Sequence, residues 1–165
     1  MHPHWTVTTF LLAALGAEIP LRSKLKADRV IVVKHERTLT LMSGPTVLKS
    51  YRVSLGSEPV GPKRMQGDHK TPEGSYILDR RNPCSRFYRS LHISYPTAEQ
   101  KADAARTGTN PGGDIMIHGL PNGFGWLGSL HRTLDWTDGC IAVADAEMDE
   151  IWQAVDDGTP IDMMP

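Results

Sequence analysis

"RVIVVKHERTLTLMSGPTVLKSYRVSLG", residues 29–56, alternates apolar and polar positions with a period of two. Neighbouring side chains on a strand point to opposite faces, so this alternation buries one face of a sheet; a helix would repeat about every 3.6 residues. The polar break at His35 to Arg37 divides the first part into a hairpin. Ser43-Gly44-Pro45-Thr46 supplies the next turn, and "VLKSYRVSLG" returns as a third strand.

Downstream, the same pattern recurs in shorter pieces. A loop rich in Gly, Pro and charge, Ser57 to Pro72, leads to "GSYILD" and "SLHISYP" as further short strands. Thr97 to Arg106 is rich in Ala and charge and suits a short helix that ends before Gly108. "GGDIMIHG" is expected as a buried strand stopping at Gly119. Ala146 to Val155 is the clearest helix: Met148, Ile151, Trp152 and Val155 share one face, with Asp145 as the N-cap. "TPIDMM" closes the chain as a last strand. The fold class is therefore mainly β, a sandwich or barrel with short peripheral helices. Nothing in the pattern divides residues 26–165, which form one domain after a distinct segment at 1–25.

Composition narrows the function. A chain of 165 residues with 39% hydrophobic and 22% charged content builds one globular core. Its net charge of −1 argues against nucleic-acid binding, which needs a clustered cationic footprint; Arg22 to Lys26, Lys63 to Lys70 and Arg80 to Arg89 are only local thickenings. Phe10 to Ala17 is apolar, too short to span a bilayer, and ends in small residues, so 1–25 is expected to be a signal peptide or N-terminal segment. Export is the corresponding expectation, with no membrane span in the mature domain. Two cysteines, Cys84 and Cys140, allow one disulfide, but Cys84 sits in the basic stretch "RRNPCSRFYR" and is expected to be an incidental free thiol.

Chemistry is sought at strand ends and loops, where a scaffold of this kind presents its polar residues. His118 ends an apolar strand before a glycine, and Cys140 opens an apolar run after one. A thiol is a poor nucleophile until a base or a local field deprotonates it, and His118 supplies that base if the two strand ends are neighbours. Gly139 lets the backbone turn sharply, so that N–H groups of the turn can face a developing oxyanion. Thiol, base and oxyanion donors together describe acyl transfer.

"IMIHG" followed by "DWTDGCIAVADAEMDEIW" resembles the L,D-transpeptidase catalytic domain of the YkuD/ErfK type, whose signature is a histidine, a gap, then Ser/Thr-His-Gly-Cys. "YRVSLGSEPVGPKRMQGDHKTPEGSYIL" and "FYRSLHISYP" are similar to the segments that precede the active site in its proteobacterial branch. The resemblance covers roughly Arg29 to Asp162. It implies Cys140 as the nucleophile forming a thioester, His118 as the general base, and backbone N–H groups of Gly139, Cys140 and Asp138 as the oxyanion hole. Thr137 fills the Ser/Thr position, and with Gly119 is implied to lie at the substrate. It further implies no cofactor or metal, and a peptidoglycan tetrapeptide stem as acyl donor, cut between its third residue and a terminal D-alanine. The acceptor would be an amine of another stem, of a wall-attached lipoprotein or of a free D-amino acid; water instead gives a hydrolase or L,D-carboxypeptidase.

The chain departs from that pattern in three places. Asp138 replaces the signature histidine, Ala142 stands where Arg or Asn is usual, and His118 and Cys140 are separated by 21 residues, 119 to 139. Asp138 either orients His118 or a substrate amine, or simply forms the turn before Gly139. Arg132, Arg86 or Lys70 is then left to meet a substrate carboxylate. His92 is a strand residue near the implied cleft and is taken as substrate-binding, His69 as turn-forming surface, His131 as a residue of the substrate entrance, and Trp126 and Trp136 as packing anchors. Two other readings stay open: a zinc peptidase using His118, His131 and Cys140 with Asp135 or Asp138, and a wall-binding module that has lost its chemistry.

Overall fold

The computed structural model describes residues 26–165; the signal peptide expected at 1–25 lies outside the described residues. The first hairpin forms where the alternation places it, with β1 (Arg29–Val33) antiparallel to β2 (Thr38–Ser43), and β3 (Thr46–Arg52) following around Gly44. Then come β4 (Gly74–Ser85), β5 (Tyr88–Ile93), α1 (Ala98–Arg106), β6 (Met116–His118), β7 (Ile141–Ala142), α2 (Asp145–Ala154) and β8 (Thr159–Met164). They build one eight-stranded sheet in the order β3-β2-β1-β8-β4-β5-β6-β7. The β1–β8 and β6–β7 pairs are parallel and the others antiparallel.

The sheet curls until its ends meet. Beyond β3, Ser54 exchanges backbone hydrogen bonds with Ala142 of β7, at 3.0 and 2.9 Å, and Thr137 donates to Leu55 O while Ser57 donates to Thr137 O. Val30, Val32, Leu39, Leu41, Leu78, Ile93, Ile117, Ile141 and Ile161 fill the interior, each nearly fully buried. α2 adds Met148 and Ile151 to that core, as its 3.6-residue spacing requires. The closure carries the "DWTDGC" turn onto the segment that continues β3.

Four expectations need correction. β4 is twice the length of "GSYILD", because its outer half, Asp79 to Ser85, pairs with β5 alone and so carries polar, exposed side chains that hide the strand period. "GGDIMIHG" gives only Met116–His118, since Asp114 takes a left-handed φ of 53° that no regular strand holds. Asp145 is the first residue of α2 rather than its cap: its carboxylate accepts the Leu120 N–H at 2.8 Å, while Ala144 is the N-cap and donates its own N–H to Glu147 at 3.0 Å. Two short 3-10 turns within Gly125–Thr133, broken at Gly128 where φ is 48° and ψ −127°, occupy the stretch between the two motif halves, for which the sequence offers no helix signal.

Candidate active site

His118 and Cys140 lie on neighbouring strands. β6 and β7 run parallel with His118 level with Ala142, which puts Cys140 beside Met116 on the same face as His118. Both side chains line one cleft of about 580 Å³, together with Cys84, Arg86, Phe87, Asp114, Trp136 and Asp138. Cys84 and Cys140 are both free thiols. Cys84 stands on β4, three strand spacings from β7, farther than the Cα separation a disulfide tolerates.

The tautomer of His118 is fixed by what surrounds it. Nδ1 is 2.6 Å from the Gly119 carbonyl, which can only accept, so Nδ1 carries the proton and Nε2 keeps its lone pair. The ring packs 4.6 Å from Phe87 and 5.9 Å from Trp136, centroid to centroid, and is 4% exposed. That apolar burial disfavours the imidazolium and lowers its pKa to about 4, with the Gly119 carbonyl opposing the shift and the His131 charge adding to it. Burial likewise raises the Cys140 thiol to about 11, with the Asp138 and Asp114 carboxylates reinforcing the shift and Met116 and Lys63 opposing it. The resting pair is therefore thiol and neutral imidazole. The thiol donates to the Asp114 carbonyl at 3.6 Å, a backbone contact that residue types in the sequence do not announce.

The cysteine turn is braced rather than open. Thr137 is buried; its hydroxyl donates to Cys140 O at 2.8 Å and accepts the Gly139 N–H at 3.1 Å. Thr137 thus shapes the turn, and Gly139, expected as an oxyanion donor, has its N–H committed inside it. The N–H groups of Asp138 and Cys140 have no acceptor among the described residues. Gly139 is required for another reason: at a φ of 124°, a Cβ there would come within 2.5 Å of the Lys70 carbonyl. The Lys70 loop is in turn pinned by the buried Lys34, which donates to Gly61 O, Thr71 O and Glu73 at 2.7 to 2.9 Å. At the other end of the turn, Asp135 accepts the Leu55 N–H and two bonds from Arg37.

Several expected site residues stand elsewhere. Gly119 orients His118 and lies against Asp145 and Tyr88, where a Cβ would meet atoms at 2.6 and 2.9 Å. Arg132 pairs with Glu147 on α2, and His92 with Asp79 at 2.6 Å; neither lines the cleft. Lys70 turns its ammonium to the Val60 carbonyl, so of the three candidate cations Arg86 alone lines the cleft. His131 is buried behind Trp136, with Nδ1 3.2 Å from the Ser54 hydroxyl. Trp126 is 75% exposed and anchors nothing. His69 is a surface turn residue as expected, 47% exposed and at a left-handed φ of 53°, and its Nδ1 is 2.8 Å from Asp138 Oδ1. The proposed zinc ligands do not converge: His131, Asp135 and Asp138 each meet a different partner.

The family model described as YkuD, the L,D-transpeptidase catalytic domain, matches residues 27–163. YafK of Escherichia coli (strain K12), a curated relative that carries a provisional L,D-transpeptidase name, is 34% identical over 131 residues, which is 75% of this chain and 45% of YafK. The chain thus spans less than half the length of the curated relatives it matches. Among solved structures, a mutant of the helical cell shape determining protein Pgp2 from Campylobacter jejuni aligns with a TM-score of 0.63 at 25% identity, over 82% of this chain and 46% of that one. An L,D-transpeptidase from Mycobacterium smegmatis shares the fold, with a TM-score of 0.55 at 15% identity over 83% of this chain and 58% of that one.

Proposed function

Because the chain belongs to the L,D-transpeptidase catalytic domain family, we propose that it is a cysteine-dependent acyltransferase acting on peptidoglycan tetrapeptide stems. The observation that carries this reading is the juxtaposition of Cys140 and His118 in one cleft, with the His118 proton fixed on Nδ1 and Nε2 left as the base. In the proposed first step, Cys140 turns its thiol from the Asp114 carbonyl toward Nε2. The sulfur attacks the carbonyl of the third stem residue while the thiol proton passes to His118. Charge develops on the carbonyl oxygen, where the Cys140 and Asp138 N–H groups are the donors without acceptors. His118 then protonates the departing D-alanine, leaving a thioester.

An amine completes the transfer, and water in its place gives the carboxypeptidase outcome. Arg86 is the cation available to a stem carboxylate. A lipoprotein lysine belongs to the proposed acceptors, in keeping with the family's action on peptidoglycan. The substrate lies outside the cytoplasmic membrane, so we propose a periplasmic site of action. Among the described residues no helix is long and apolar enough to cross a membrane.

Chromatography of a purified disaccharide-tetrapeptide after incubation tests the reading. Wild type releases D-alanine, and Cys140→Ala lowers the rate by at least about a thousandfold, as expected when a nucleophile is removed. Equal release by the two proteins would refute it. If wall binding were retained and neither protein turned over substrate, the binding-module reading would stand instead.

A further inference from the structure

A second cleft adjoins the first. It has a volume of about 490 Å³ and is lined by Lys63, Gln66, His69, Asn110, Asp114 and Asp138 among others. Asp114 and Asp138 line both clefts, so the two meet beside Cys140. The charges on the two sides differ. The first cleft carries the Arg86 cation. In the second, the Lys63 ammonium is already spent: its side chain is 3% exposed and donates to Asp68 at 2.7 Å. Arg80 approaches Asp114 only to 4.0 Å, with both side chains mostly in solvent, which makes a weak contact.

Asp138 is 92% exposed and is steered by His69 Nδ1 at 2.8 Å. His69 is itself held at a left-handed φ of 53°, and its carbonyl accepts the Glu58 N–H. A carboxylate two residues before the nucleophile and aimed at the junction of two clefts disfavours anions there and favours a cation. Both carboxylates act in that sense on Cys140, opposing its ionisation.

We propose that Asp138 is a specificity-determining residue: it holds the ammonium group of an amine acyl acceptor that reaches the Cys140 thioester through the second cleft. This rests on the acyl-transfer reading of Cys140. The held ammonium first releases one proton to solvent. The neutral nitrogen then forms the C–N bond, the C–S bond breaks, and the surplus proton passes through His118 Nε2 to the Cys140 sulfur. Donor and acceptor therefore enter through different, adjoining clefts, and replacement of the signature histidine by Asp138 sets the sign of the acceptor's charge.

The test reads how the thioester partitions. Enzyme and disaccharide-tetrapeptide are incubated with glycinamide, which carries an ammonium and no carboxylate, and the ratio of amide product to hydrolysed stem is measured. This ratio is independent of how fast the thioester forms. Asp138→Asn is expected to lower it about fivefold, the scale of one exposed charge contact, while Asp138→Glu keeps most of it. Raising salt from about 0.05 to about 0.5 M should bring the wild-type ratio down toward that of Asp138→Asn and leave the variant's unmoved. An unchanged ratio in Asp138→Asn, or a wild type that hydrolyses the thioester and forms no amide, overturns the acceptor assignment alone. Failure to detect any thioester on Cys140 by intact mass overturns the parent reading and the assignment with it.

Discussion

A buried imidazole that keeps its proton on one nitrogen can serve as a base over a wide pH range, because burial makes the charged form costly. His118 meets that condition through Gly119 on one side and Phe87 and Trp136 on the other. With its pKa at about 4 in the folded protein, kcat/KM is expected to lose activity only near pH 4, with no step near 6.5. The same shift has a stability consequence. The folded pKa lies below the unfolded value of 6.5, so the unfolded chain takes the proton first, and stability falls as pH drops from about 6.5 to about 4. The loss attached to His118 is about 3 kcal/mol, and urea unfolding should show it in wild type and not in His118→Gln. A pH-independent wild type over that window would contradict the assignment. His118 and Cys140 were legible in the sequence because each sits at a glycine beside an apolar run. The pairs His69–Asp138 and Arg132–Glu147 were not, since they join residues on separate segments that only the closed sheet brings together.

The cysteine turn holds its shape as an element because its backbone is locked from within and from below. Thr137 spans it by two hydrogen bonds, and Gly139 lies against the Lys70 carbonyl. Gly56 is equally tight on the other side, where a Cβ would meet the His69 carbonyl at 2.2 Å. Gly139→Ala therefore forces either a strained φ or a shift of the 69–70 backbone, and is expected to cost about 2 kcal/mol or more together with most of the activity. Thermal unfolding beside a turnover assay checks this; unaltered stability and rate would mean the turn yields freely. The first meander and α2 followed from periodicity and α1 from its Ala-rich composition, whereas the outer half of β4 and the short β6 did not. One-sided pairing exposes the first, and the left-handed Asp114 truncates the second.

At the scale of the whole molecule, β8, the last of the described strands, is central to the sheet. β8 lies between β1 and β4, with Ile161 and Met163 in the core, and it pairs parallel to a strand more than a hundred residues earlier. Truncation after Gly158 removes both pairings and is expected to leave a chain without cooperative unfolding in circular dichroism; a cooperative transition would show the sheet can close without β8. Closure of the sheet also fixes the site, since the bridges from Ser54 to Ala142 and from Gly56 to Thr137 set the cysteine turn against the loop that carries His69. Period-two patterning announced a mainly β sandwich or barrel, but not that one curled sheet would form it or where its two ends would meet. The most direct test of the central claim is intact-mass spectrometry of wild type and Cys140→Ala after brief incubation with disaccharide-tetrapeptide. Wild type is expected to carry an adduct equal to the substrate without its terminal D-alanine, mapped to Cys140 and absent from the variant. An adduct on another residue, or D-alanine release by Cys140→Ala at the wild-type rate, would contradict it.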